Sequence, residues 1–287
     1  MTWLWLGLVL CLLGISLMAY GVKRWANTMR ALTGMLDAAR IDVGAPSQSP
    51  SRYDARELDG LPAPVQRYFR TALTDGQPLI TAATVVVAGS FNLSATGEQW
   101  KPFTATQQVV TRRPGFLWNA RIAMLPGLPV CVVDSYIAGR GLLRAAVLGL
   151  FTVADIRGDG DIARGEFMRF FAEAAWYPTA LLPSQGVRWQ AVDERSAYAT
   201  LTDGPFTLTL LFGFNDAGLI DSFRAEARGA MVGKKVHMLP WVGRWSNYQT
   251  QSGMTVPFTG EVAWIQSEGR RSYFMGTVTA LRYEFSL

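Results

Sequence analysis

The chain has 287 residues, 49% of them hydrophobic and 17% charged, which is ample material for a folded core and excludes global disorder. Lys and Arg number 27 against 22 Asp and Glu, a net charge of +5. Much of that excess sits between Gly21 and Arg40, where Lys23, Arg24, Arg30 and Arg40 accompany one acid, Asp37, so the rest of the chain carries no basic footprint for nucleic acid.

From Thr2 to Tyr20 there is no charge. As a helix this stretch would be roughly 28 Å long, close to the ~30 Å hydrocarbon core of a bilayer. Trp3, Trp5, Tyr20 and Trp25 stand near its ends, where aromatic rings favour the membrane interface. No Lys or Arg precedes the run and no A-x-A site follows it, so the pattern predicts a single-pass anchor over residues 1–22 rather than a cleaved signal peptide. Lys23, Arg24 and Arg30 follow the span, and the positive-inside rule then favours a cytoplasmic body. Beyond the anchor, Trp25, Met29, Leu32 and Leu36 recur at helical spacing. That spacing fits a basic amphipathic helix on anionic lipid and fits equally a stalk continuing the membrane helix. Residues 41–56, rich in Pro, Ser and Gly, read as a linker. The expected organisation is an anchor at 1–22, a juxtamembrane helix and linker at 23–56, and a body at 57–287.

Pro62 and Pro64 open a short helix running to about Leu73. After Pro78 the apolar period becomes two. Val85, Val87, Phe91 and Leu93 share one face. Phe116, Trp118, Ala120, Ile122 and Met124 alternate with Asn119 and Arg121, and Phe206, Leu208, Leu210, Phe212 and Phe214 alternate with Thr207 and Thr209. Further extended segments are predicted at 103–110, 130–138, 186–192, 197–202, 218–227, 260–265 and 272–285, separated by turns such as Arg113-Pro114-Gly115 and Asp203-Gly204-Pro205. Alternation of this kind favours antiparallel pairing. The predicted fold is α+β and β-rich: an N-terminal transmembrane helix, then a curved antiparallel sheet, a half-barrel, packed on one or two helices.

One helical stretch interrupts the β pattern. Residues 165–183 read GEFMRFFAEAAWYPTALLP, and on a helix Glu166, Arg169, Glu173 and Trp176 fall on one face. Phe167, Phe170, Phe171 and Ala174 form the apolar side, and Pro178 ends the helix. Glu166 and Glu173 stand about 10 Å apart along the axis, and Arg169 between them should lower both carboxyl pKa values, opposite to what a general acid requires. The stripe is read as an ion-paired helix face, as the lining of a ligand site, or as a catalytic pair. Asp134 and Tyr136 are two apart in a predicted strand and share a face. The candidate ligand-binding residues are therefore Asp134, Tyr136, Glu166, Arg169, Glu173 and Trp176, with no catalytic residue, metal site or cofactor assigned.

Asp155 to Glu166 has the length of an EF-hand loop, but Arg157 at its third position and a strand-like segment before it argue against calcium. One histidine, His237, and two cysteines without C-x-x-C spacing exclude a zinc centre of the usual Cys/His kind. His237 has no evident triad partner and reads as a loop or rim residue. No GxxxxGK[ST], GxSxG or dinucleotide fingerprint occurs.

The motifs LPAPVQRYFR (61–70), DSYIAGRG (134–141), GEFMRFFAEAAWYPTALLP (165–183), LPWVGRWSNYQTQSGMTVP (239–257) and the Trp264, Gly269, Tyr273 tail together resemble an uncharacterised bacterial family of domains of unknown function, over most of residues 57–285. The resemblance brings no activity and no catalytic residues. A bacterial source would make the membrane the inner (plasma) membrane. The β-rich body with embedded helices is similar to half-barrel lipid carriers of the LolA and LppX type, an analogy of fold alone. The anchor, the aromatic load and the lack of catalytic groupings point to a membrane-anchored protein binding a lipid or other hydrophobic small molecule, with membrane lipid as its partner. The alternatives are a membrane-associated enzyme using acidic residues of the 165–183 helix, and a non-catalytic envelope scaffold.

Overall fold

The computed structural model describes residues 2–41, 51–94, 97–125, 127–232 and 235–286. Most of the linker predicted at 41–56 lies outside these. Helix α1 (Thr2–Ile41) is continuous, and its apolar part through Tyr20 is exposed along its length. At Gly21 the same helix meets the body. A Cβ there would stand 2.3 Å from the Leu148 carbonyl oxygen, so only glycine allows the approach. Trp25, Leu36 and Ala39 then bury against Val110, Leu117, Val133 and Ile137 on the outer face of the sheet. Polar contacts mark the path: Arg24 donates to the Leu150 carbonyl at 2.8 Å, Trp25 Nε1 to Asn119 Oδ1 at 3.0 Å, and Arg40 reaches Glu284 at 2.6 Å. The stripe Trp25, Met29, Leu32, Leu36 is thus covered by protein, and the segment continues the apolar helix.

Helix α2 (Ala63–Ala72) starts behind Pro62 and buries Val65, Tyr68, Phe69 and Ala72. The sheet follows in two antiparallel meanders. The first runs β1 (Ile80–Asn92), β2 (Trp100–Val110), β3 (Gly115–Leu125), β4 (Leu128–Ile137), β5 (Arg140–Val147) and β6 (Phe151–Gly158). The second runs β7 (Arg188–Asp193), β8 (Ser196–Asp203), β9 (Phe206–Phe214), β10 (Ile220–Val232), β11 (Lys235–Gln251), β12 (Met254–Gln266) and β13 (Gly269–Phe285). Pairing of β1 with β13, from Ile80↔Phe285 to Phe91↔Phe274, joins them into one open sheet with β6 and β7 at its two edges. The predicted curved antiparallel sheet is what forms. Strands β5 and β11 are additions to the sequence reading. The glycine–arginine run at 139–144 looks like a turn, and Pro240 inside β11 argues against a strand.

Between the edges, helix α3 (Asp161–Ala172) and three 3-10 turns, Glu173–Trp176, Pro178–Leu181 and Pro183–Gln185, carry the chain across the concave face. Helix α3 lies against β4, β5 and β6 on one wing and against β9 and β10 on the other, so the sheet bends around it. Phe167, Phe170, Phe171 and Tyr177 are buried there with Phe116, Tyr136 and Phe212. Each such ring contributes roughly 2–3 kcal/mol of transfer free energy.

The α-helical part ends at Ala172, six residues before Pro178, because Glu173 turns into 3-10 geometry. The close seat of α3 depends on Gly141, where a Cβ would lie 2.6 Å from the Ala163 nitrogen. Gly141→Val should therefore lift the helix and lower the unfolding free energy of the detergent-solubilised chain by about 3 kcal/mol. A chemical-denaturation midpoint equal to that of the parent would refute this account of the helix seat.

Candidate functional site

Strand alternation puts Gln107 and Asp134 on the concave side, and α3 brings Arg169 down between them. Each of the three Arg169 guanidinium nitrogens has a partner. Nε donates to Glu173 Oε1 at 2.7 Å, Nη1 to Asp134 Oδ2 at 2.9 Å and Nη2 to Gln107 Oε1 at 3.1 Å. Gln107 Nε2 closes the ring by donating to Glu173 Oε2 at 2.7 Å. The guanidinium also lies over the rings of Phe116 and Trp118, 5.0 and 4.8 Å from their centroids. Burial opposes its charge, but Glu173, Asp134 and Glu166 more than offset this and hold Arg169 above its ordinary pKa.

A second group is only half made. Glu166, 3% exposed, has Oε1 3.7 Å from Arg228 Nη2, too long for a hydrogen bond, and its Oε2 has no partner. Asp134 Oδ1 and Arg228 Nε are likewise buried without partners. Arg228 is held by rings instead, 4.3 Å from the Trp241 centroid and 5.8 Å from that of Trp264. Trp241 Nε1 in turn donates to Tyr273 Oη at 2.9 Å. Burial first, and the Asp134 charge second, push the Glu166 carboxyl from 4.5 up to about 8. Burial also raises Asp134, against the pull of Arg169 and Arg228. Arg169 does pull the Glu166 carboxyl down, as expected, but the net shift is upward. The hydrogen bonds of Arg169 go to other partners, and desolvation decides.

These groups floor a cavity of about 360 Å³. Phe91, Leu143, Ile156, Ile162, Val262 and Phe274 are among its apolar walls, and Asp134, Glu166, Arg169, Glu173 and Arg228 line it. At neutral pH Glu166 holds a proton and can donate one hydrogen bond, Arg228 can donate several, and Asp134 Oδ1 can accept.

Of the six candidates, Asp134, Glu166, Arg169 and Glu173 meet at this cavity, and Tyr136 and Trp176 do not. Tyr136 stacks on Phe167 at 5.1 Å and donates to Asp203 Oδ2 at 2.6 Å. Trp176 is carried off the stripe by the 3-10 turn and packs against Trp245, centroids 4.9 Å apart. Asp155, on β6, pairs with Arg144 and Arg157, whereas Glu166 is inside α3, so the EF-hand-length segment is a strand, a turn and a helix. Among the described residues no group of three or more His, Cys, Asp or Glu is placed to hold a metal ion. His237 sits exposed on β11, opposite Ala230.

Gln107 and Arg228 were not anticipated. Gln107 did leave a signal, as the one polar residue on the face of Phe103, Ala105 and Val109. Arg228 left none. Phe223 and Ala225 point inward, so strict alternation would send residue 228 outward, but a bulge shifts the register between Ala225↔Trp241 and Arg228↔Leu239 and turns it in.

Fold and site together define an open half-barrel with an apolar cavity and a charged floor, joined to a long apolar helix. Residues 59–283, more than half of the chain, match DUF6920, a family of unknown function, and the protein belongs to that family. Among solved structures it is similar to a LolA superfamily protein from Nitrosomonas europaea, at 12% identity and a TM-score of 0.39, over 77% of this chain and 92% of that one. It is also similar to a domain assigned as an outer membrane lipoprotein-sorting protein from Vibrio parahaemolyticus, at 12% identity and a TM-score of 0.38, over 72% and 86% of the two chains. No curated protein matches the chain.

Two outcomes test the site. Arg169→Met strands Asp134 and Glu173 in a buried setting and should destabilise the fold by about 3–5 kcal/mol, read from denaturant unfolding. Glu166 binds its proton more tightly when folded than when unfolded. Its contribution is therefore full below its usual 4.5, falls as pH rises towards about 8 and is lost above that. Glu166→Gln should flatten the decline across that window; a variant profile parallel to the parent's would disprove the assignment.

Proposed function

We propose that the protein is a membrane-anchored binding module that holds one amphiphile, a lipid or similar molecule, in the concave cavity. The carrying observation is the pairing of apolar walls with buried polar atoms that have no partner: Glu166 Oε2, Asp134 Oδ1 and Arg228 Nε. An unpaired buried polar atom costs about 1–3 kcal/mol, and a ligand head that pairs with it removes the penalty. The three atoms ask for a head that both donates and accepts. An anionic head would satisfy Arg228 but would lie beside Asp134 and Glu173. A cationic head would satisfy the carboxyls but would crowd Arg228 and Arg169. A neutral hydroxyl-bearing head serves all three atoms, with the chain of the molecule against Phe91, Val262 and Phe274.

In this reading the apolar part of α1 is a single-pass anchor in a plasma membrane, and Lys23, Arg24 and Arg30 favour a cytoplasmic body. The full chain purified in mild detergent should carry an organic-extractable amphiphile, identified by mass spectrometry. Val262→Trp should fill the cavity and lose that molecule while keeping the circular dichroism of the parent. Retention of the amphiphile by the filled variant would place it on the anchor rather than in the cavity, and would end this reading.

A further inference from the structure

Helix α1 fixes which end of the first meander faces the membrane. The apolar run ends at Tyr20, and at Gly21 the helix touches Leu148 and Leu150 in the β5–β6 turn. It then runs along the outer face to the other end of the strands, where Leu36 meets Gly115 and Arg40 meets Glu284. In this antiparallel meander the end that holds the β5–β6 turn also holds the end of β1 and the β3–β4 turn. At that end the exposed apolar side chains collect: Leu93 at 42%, Leu125 at 63%, Phe151 at 58% and Val153 at 64%. The turns at the opposite end, 111–114, 138–139 and 158–160, carry no exposed large apolar side chain. Lys23, exposed, and Lys101, half-buried, lie on the membrane-proximal side, where lipid phosphates would attract them. Exposed apolar side chains gathered on an otherwise polar surface mark a docking site, and here they share the end of the sheet that α1 touches as it leaves its apolar run.

We propose that this end of the half-barrel, with Leu125, Phe151 and Val153 at its tip, is seated in the bilayer surface beside α1 and forms the door through which the amphiphile reaches the cavity. The inference rests on the reading of α1 as an anchor and of the cavity as a ligand site. The route is on the concave face. Phe151 pairs with Val147, and Ile156, further along the same edge strand, pairs with Leu143. Leu143 and Ile156 are themselves cavity walls. A chain entering at Phe151 therefore meets apolar side chains along its way to the cavity. Because β6 is an edge strand, no further strand has to part to admit it.

The test uses the full chain in vesicles of phosphatidylethanolamine and phosphatidylglycerol that contain doxyl-labelled phosphatidylcholine. Cys131 is buried, and the native Cys11, exposed on the span, takes a bimane label as reference. In a Cys11→Ser background the label is moved to Leu125→Cys, Phe151→Cys and, as the far-end control, Arg140→Cys. All three positions are exposed, so the substitutions leave the core intact. The expected result is loss of bimane fluorescence at 125 and 151 with doxyl groups near the top of the acyl chain, and none at 140. Quenching at Cys11 with no quenching at 125 and 151 overturns the door and leaves the anchor standing. No quenching at Cys11 removes the anchor and the door together. Equal quenching at 125, 151 and 140 also overturns the proposal, because the body would then lie on the membrane without a preferred end.

Discussion

The structure turns on one guanidinium. Arg169 has to be buried for α3 to cross the concave face, and a buried cation is tolerated only when its donors are matched. Glu173 matches it from its own helical segment, and Asp134 and Gln107 match it from β4 and β2. The network therefore fixes the rotation of the helix and ties the segment between the two edge strands to the middle of the first meander. The aromatic side of α3 follows from that rotation, since Phe167, Phe170 and Phe171 face the core once Arg169 faces the sheet.

The same strands work on both faces. In β4, Cys131, Val133 and Ile137 pack under α1, while Asp134 and Tyr136 look into the concavity. A strand covered on both sides reads as a near-continuous apolar run, and VCVVDSYI does so. The single charge in that run, Asp134, is what the inner helix needs. Covering both faces also couples the apolar helix to the cavity, because α1 and α3 grip opposite sides of the same strands.

A difference in saturation separates structure from function within the cavity. Every side-chain nitrogen and oxygen of Arg169, Glu173 and Gln107 has a partner within the network. Glu166, Arg228 and Asp134 line the cavity, and each keeps one buried polar atom unpaired. Aromatic stacking holds Arg228 in place without consuming its N–H groups, which leaves them free for another acceptor. A scaffold that needed only stability would be expected to close these pairs.

The sequence by itself determined the local terms. The charge-free run from Thr2 to Tyr20, the proline-opened helix, the alternating strands and the amphipathic stripe at 165–183 are all periodicities, and periodicity is written residue by residue. That stripe placed Glu166, Arg169 and Glu173 together because i, i+3 and i+4 neighbours need only a helix. What the tertiary structure alone decided is everything that depends on a register or a change of geometry. The switch to a 3-10 turn after Ala172 carried Trp176 away, and a one-residue bulge in β10 turned Arg228 inward. Docking on the sheet covered the Trp25 stripe that lipid would otherwise have met, and β2 supplied Gln107 across more than sixty positions of chain. Desolvation belongs to the same class. A pair of charges in a sequence predicts mutual stabilisation, but the proton on Glu166 is set by how much water the folded wall removes, and no local pattern records that.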